Sequence, residues 1–227
     1  MLGPGSSAVI KINLAHPPRH DHPRTNPDWI RAVVSFVKAQ GASCAIAEGA
    51  NGFLEKNIAA IGLGEFVREN GVELIDLDLA EDVETVAIGD ETHYLPRQLR
   101  DFRCRIGIPA TTWRSGMIFS NNVKLFVGAV PLRLYQEGAK DNRVARWRVH
   151  IDLHKSVANI YRAVMQFAPF QFFVNGGTAA TSARGMFDLP HVLVGDDAVE
   201  LDESLVTVIE AERPEYLHRL QDLKTKT

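Results

Sequence analysis

Apolar and polar positions along this chain change their period several times, and each change marks an element. Ala8–Leu14, AVIKINL, alternates and is rich in Ile and Val, the pattern of a strand. The loop after it, AHPPRHDHPRTN, holds too much Pro and His for regular structure. Thr25 or Asn26 then caps a helix with Pro27 in its first turn. Ile30, Val33, Val34 and Val37 fall on one face of that helix, and Gly41 stops it. Ser43–Ala47 predicts a second short strand. The tight loop Glu48-Gly-Ala-Asn-Gly52 leads into helical Phe53–Ile61 and Glu65–Asn70, ended by Gly71, and Val72–Leu77 predicts a third strand.

Strand–helix–strand–helix–strand order argues for parallel βαβ pairing. Val83–Ile88 and Thr92–Leu95 flank Gly89-Asp90 and predict a hairpin or small excursion. Arg105–Pro109 predicts a buried strand, followed by a long Gly- and Arg-containing connection. Residues 144–165 predict one long helix with Leu153, Val157, Ile160, Tyr161 and Val164 as its apolar stripe. Phe170–Val174 predicts another buried strand, closed by Asn175-Gly-Gly177, and Val192–Val194 a last one. Glu200–Glu210 and Pro214–Leu223 predict terminal helices. The expected fold class is α/β, one domain over residues 1–227, with a largely parallel central sheet, helices on both faces and a small antiparallel excursion.

With 227 residues, 45% hydrophobic and 23% charged, the composition is that of an ordinary globular protein. No run of eighteen apolar residues predicts a membrane span, and MLGPGSS lacks the basic-then-apolar order of a signal peptide. No membrane partner is therefore expected, and with only two cysteines a cytoplasmic, reducing location is the simplest reading. Cys44 and Cys104 are too few for a disulfide framework or a cysteine-only cluster site, and Cys44, inside an apolar run, reads as core.

Charge is uneven along the chain. Residues 1–96 hold 7 Lys and Arg against 14 Asp and Glu, residues 97–162 hold 13 against 4, and residues 163–227 hold 5 against 10. The basic middle either docks on the acidic flanks within the fold or faces an anionic ligand, and a solvated face with internal pairs is the favoured reading. Nucleic acid is not expected as a partner, because the net charge is −3 and no aromatic–basic alternation occurs.

Several residues have the chemistry of a site. Lys124 stands inside the otherwise apolar run Ser120–Pro131, where a lone ammonium is costly to bury unless paired. Glu48, Asp197 and Asp202 are the carboxylates expected to pair with it. Glu48-Gly49-Ala50-Asn51-Gly52 follows a strand and precedes a helix, the place where ligands sit in open parallel sheets, and Gly49 allows close backbone approach. Lys11 and Asn13 share one face of the first strand; that face is either a site or merely half-exposed and polar, the latter slightly favoured. Asp197 either caps a terminal helix or reaches a site.

Metal ligation is weaker. His16, His20 and His22 share a loop with Arg19 and Arg24, and His150 and His154 sit near Arg146, Arg148 and Lys155, cations that oppose a dication. No structural metal site is expected, with the first histidine group the place for adventitious binding. Dinucleotide, phosphate-loop, G-x-S-x-G and C-x-x-C motifs do not occur in the sequence.

Taken in order, Lys11-Ile-Asn13-Leu14, Thr25-Asn26-Pro27-Asp28-Trp29-Ile30-Arg31-Ala32, Gly41-Ala42, Glu48-Gly49, the set Ser120, Lys124, Gly128, Pro131, and Gly195-Asp196-Asp197 through Asp202 resemble the motifs of domain-of-unknown-function family 362 over roughly residues 9–205. Members of that family occur alone or beside ferredoxin-like iron–sulfur modules. The resemblance implies no defined chemistry and no named cofactor. This chain departs from the motifs at Ala110, Leu125, Asn175 and Ala198, and it lacks the cysteines for a cluster of its own.

Two functional readings follow. In the first, an enzyme or enzyme remnant binds a small anionic ligand at the strand carboxyl ends. Lys124, Glu48 and Asp197 are then the catalytic candidates, and Lys11, Asn13, Gly49, Ser120 and Asp202 the ligand-binding ones. In the second, the chain is a non-catalytic partner of an acidic redox or iron–sulfur protein, docking through its basic middle; the departures favour this slightly over an intact enzyme. A metal-dependent hydrolase is a third, weaker reading.

Overall fold

A computed structural model describes residues 2–15, 24–113, 120–136, 138, 146–181 and 185–212. The histidine group His16, His20 and His22 and the expected helix Pro214–Leu223 lie outside the described residues. The chain opens with β1 (Ser7–Ile12), α1 (Pro27–Ala39), β2 (Ser43–Glu48), α2 (Leu54–Ala60), α3 (Gly64–Glu69) and β3 (Glu73–Asp76). Asn26 starts α1: its side chain accepts the Asp28 N–H at 2.8 Å, and Pro27 fills the first helical position, where no N–H is needed. β4 (Val83–Ile88) and β5 (Glu91–Pro96) form a separate antiparallel hairpin. Then come β6 (Cys104–Ile108), β7 (Thr111–Trp113), and the short helices α4 (Asn122–Leu125), α5 (Leu132–Tyr135) and α6 (Trp147–Ile151). The chain continues through α7 (Leu153–Phe167), β8 (Phe172–Thr181), β9 (Gly185–Gly195) and α8 (Ala198–Glu212).

The main sheet has seven strands in the order β3-β2-β1-β6-β8-β7, with β9 on β8. Every pairing in it is parallel except β8 with β9. The expected α/β class, its mostly parallel sheet and its antiparallel excursion are therefore all present.

Alternation along β1 divides the core. Ala8, Ile10 and Ile12 join α1, α2 and α3 on one face; Val9 joins α7, Phe126 and Phe173 on the other. Fully buried Ile10, Ile12, Ile30 and Ile46 each contribute roughly 1.5–3 kcal/mol relative to exposure. Lys11 follows Val9 on the second face. That face is covered, and Lys11 is 0% exposed, so the half-exposed polar strand face favoured from sequence does not exist. Cys44 is core, as expected, and burial pushes its thiol up to about 12.

Several element boundaries differ from expectation, and the connection expected after Arg105–Pro109 holds β7, α4 and α5. The helix expected over 144–165 is two helices, because Asp152 leaves helical geometry and caps α7 by accepting the Lys155 N–H at 3.2 Å. His150 and His154 therefore lie on different helices. β8 does not close at Asn175-Gly-Gly177; it runs through them with a register irregularity between Asn175 and Gly177. β9 extends well beyond Val192–Val194, because it pairs with β8 along its length.

The basic middle of the chain meets the acidic N-terminal part in pairs at the surface. Arg97 approaches Asp82 and Glu84 at 3.7 and 3.5 Å, and Arg100 reaches Glu84 at 2.8 Å. Lys155 reaches Asp90 and Glu91 at 3.4 and 2.9 Å, which ties the hairpin to α7.

Candidate functional site

The carboxyl ends of β1 and β2 lie side by side, with Lys11 in register with Ala47, so that Glu48 emerges next to Lys11. Lys11 Nζ donates to Glu48 Oε1 at 2.9 Å and to the Ile12 carbonyl at 2.8 Å. The same Oε1 accepts the Gly49 N–H at 2.7 Å, and Oε2 accepts the Leu14 N–H at 2.8 Å. The two side chains are 0% and 2% exposed. Burial drives both toward neutrality: it raises Glu48 against the pull of Lys11 and two backbone N–H groups, and it lowers Lys11 against the pull of Glu48, with Arg146 lowering it further. An ammonium has three protons to donate, and among the described residues two of those of Lys11 are used.

A second ion pair backs the first. Asp78, just past β3, accepts from Arg146 Nη2 at 2.6 Å and from the Leu132 N–H at 2.7 Å through Oδ1, and from the Asn51 N–H at 3.0 Å through Oδ2. Arg146 Nε donates to the Val130 carbonyl at 2.9 Å. Asp76 holds the loop after β2 by accepting the Ala50 and Gly52 N–H groups at 3.0 and 2.7 Å. Two glycines let these layers close. A β-carbon on Gly49 would lie 2.3 Å from Arg146 Nη2 and 2.6 Å from the Gly128 carbonyl oxygen; one on Gly128 would lie 2.2 Å from Glu48 Oε1. Gly128 itself is half-buried, so the Lys11–Glu48 pair lies one backbone layer below the surface.

A second polar cluster forms where α4 meets α8. Asp202 Oδ1 accepts from Asn121 Nδ2, the Asn122 N–H and Asn122 Nδ2 at 2.9, 3.0 and 2.9 Å, and Oδ2 accepts the Val123 N–H at 3.2 Å. Asn121 also donates to Asn175 Oδ1 and accepts from Thr111 Oγ1 at 3.1 Å. Burial pushes the Asp202 carboxyl up to about 6 against these donors. Ser120 is buried, and its backbone exchanges hydrogen bonds with Thr112, which holds the start of the run against β7.

The sequence-derived residues thus separate. Lys11, Glu48 and Gly49 come together under Gly128; Asp202 belongs to the second cluster, and Ser120, next to Asn121 in sequence, pairs through its backbone with Thr112. Asp197 is exposed and caps α8, its Oδ1 accepting the Val199 and Glu200 N–H groups at 2.7 and 3.0 Å. Of the three carboxylates expected to pair with Lys124, Glu48 is held by Lys11, Asp197 caps α8, and Asp202 accepts from Asn121, Asn122 and Val123. Lys124 is half-buried on α4, and its charge, after burial, helps to lower His150 on α6. Asn13 is half-buried and is held by its backbone, donating its N–H to Thr25 Oγ1 at 2.8 Å and accepting the Thr25 N–H at 3.0 Å.

Asp78, Arg146, Asn121 and Asn122 were not singled out from sequence. Asp76-Leu-Asp78 at a strand end was a usable signal for the first of these. Arg146 had none, since it arrives from a distant connection. Among the described residues no group of three His, Cys, Asp or Glu gathers to hold a metal ion, and no helix is long and apolar enough to cross a membrane.

The model of a family described as a domain of unknown function, DUF362, matches residues 8–207. The chain belongs to the DUF362 family. A search of curated proteins finds no match. The DUF362 motif residues recognised in the sequence fall on both clusters: Lys11, Glu48, Gly49 and Gly128 make one, and Asp202 holds the other together.

Proposed function

We propose that the protein binds a small anionic ligand over the carboxyl ends of β1 and β2, with Lys11 receiving the anion and Glu48 serving as the acid–base group beside it. The observation that carries this is the fully buried Lys11–Glu48 pair at 2.9 Å, both partners pushed toward their neutral forms. A buried ion pair is a poor stabilising device, because well-packed apolar residues of similar volume usually do as well or better. Perturbed titratable pairs at strand carboxyl ends are instead characteristic of working sites. The third ammonium proton of Lys11 is the donor for the ligand. The ligand reaches it by displacing the Gly128 peptide, a position with no side chain to move.

An anion beside Lys11 favours the protonated form of Glu48, so binding takes up a proton and tightens as pH falls. Docking on an acidic redox partner draws less support, since Arg97, Arg100, Arg146 and Lys155 of the basic middle are engaged by the chain's own carboxylates. The test is thermal melting with inorganic phosphate, sulfate, acetate and citrate, for the wild type and for Lys11→Met. At least one anion should raise the wild-type Tm in a concentration-dependent way, and the shift should vanish in the variant. Equal shifts in both proteins, or none in the wild type, would overturn the reading.

A further inference from the structure

The cluster between α4 and α8 has more hydrogen-bonding capacity than its own members use. Asn122 is 0% exposed and its Oδ1 has no hydrogen-bond partner among the described residues; Asn175 is 1% exposed and its Nδ2 has none among them. Leaving one such buried group unsatisfied costs roughly 1–3 kcal/mol. The Asn122 side chain already donates Nδ2–H to Asp202 Oδ1 at 2.9 Å, which is one half of a cyclic acid–amide pair. The missing half is an O–H from the carboxyl group to Asn122 Oδ1.

We infer that Asp202 holds a proton in the folded protein under mildly acidic conditions and donates it to Asn122 Oδ1, so that the α4–α8 junction is closed by a carboxylic acid–amide pair. The proton comes from solvent, to which Asp202 retains partial exposure, and returns there on deprotonation. Burial among neutral amides supports this by pushing the carboxyl up to about 6. Charged and titratable groups on the described elements packed around it include Lys124 on α4, His154, Lys155, Tyr161 and Arg162 on α7, Asp188 and His191 on β9, Asp197 at the start of α8, and Glu200 and Glu203 on α8. Tyr161 is raised chiefly by burial and then by the charges of Asp197 and Asp202. This inference concerns the junction alone and stands whether or not the Lys11 site takes an anion.

The sign is definite. A carboxyl raised above its unfolded value gives stability that is fully present at low pH and is lost as pH rises through the folded value. The direct test is a carbon-13 NMR titration of the aspartate side-chain carboxyls in the intact protein, with Asp202→Asn used to assign the resonance. A midpoint near 6 for Asp202 is expected; a midpoint near the ordinary value of about 4 would overturn the inference. As a second readout, the Tm advantage of the wild type over Asp202→Asn should shrink as pH rises from about 4 to about 7. An advantage that grows over that interval means an ionised acceptor and contradicts the protonated pair.

Discussion

Gly128 and Glu48 fit together only because Gly128 lacks a side chain: a β-carbon there would stand 2.2 Å from Glu48 Oε1 and 3.0 Å from Lys11 Nζ. The carboxylate is fixed by Lys11, Gly49 and Leu14, so it has no easy retreat. Gly128→Ala must therefore push the Phe126–Ala129 segment outward or break the ion pair. We expect a loss of about 1–3 kcal/mol in urea-induced unfolding, the usual cost of overpacking. Unchanged stability would mean that the segment does not press on the pair.

Removing one member of the Lys11–Glu48 pair should cost much more than removing both. Lys11→Met leaves a buried carboxyl without its cation, with an expected loss of about 3–5 kcal/mol, whereas the Lys11→Met, Glu48→Leu double variant should recover most of it. The single variant also acquires a pH dependence. Burial already raises Glu48, and without Lys11 it rises further, so stability is retained at low pH and lost as pH rises through the folded value. Denaturant midpoints of the three variants at acidic and alkaline pH check both statements.

His93 supplies an opposite dependence at a separate place. Its Nδ1 lies 3.2 Å from the Tyr135 hydroxyl, which accepts the Tyr94 N–H at 3.3 Å and so has its own proton to give to Nδ1. The Nε2–H of that tautomer faces Glu91 Oε2 at 3.5 Å. Burial nonetheless holds His93 below its ordinary value, with Glu91 opposing. The unfolded chain thus takes up the proton first, and this group's stability is lost as pH falls through the ordinary histidine range. His93→Gln should flatten the fall in Tm below about pH 6.5; an equally steep fall in the variant would remove His93 as its cause.

Much of the fold was legible because local chemistry and tertiary structure agree. Asn26-Pro27 starts α1, Gly89-Asp90 turns the hairpin, and the alternating order of strands and helices produces the parallel sheet. Glu48 and Lys11 were both legible as site residues. Their pairing with each other was not, because it is decided by the register of β1 against β2, which no local pattern states. The attention drawn by Lys124 had the same origin: an ammonium in an apolar run demands an explanation, yet a short helix gives it a half-buried position. Asn175-Gly-Gly177 read as a turn because glycines favour one; the neighbour β9 instead carries the strand through with an irregularity.

The most direct measurement is calorimetric titration with whichever of phosphate, sulfate, acetate or citrate most raises the Tm, at about pH 6 and about pH 8 and in two buffers of different ionisation enthalpy. We expect saturable binding that takes up a proton, is tighter at the lower pH, and is lost in Lys11→Met. Binding without proton uptake, or binding that survives the loss of Lys11, would contradict a site built on the Lys11–Glu48 pair.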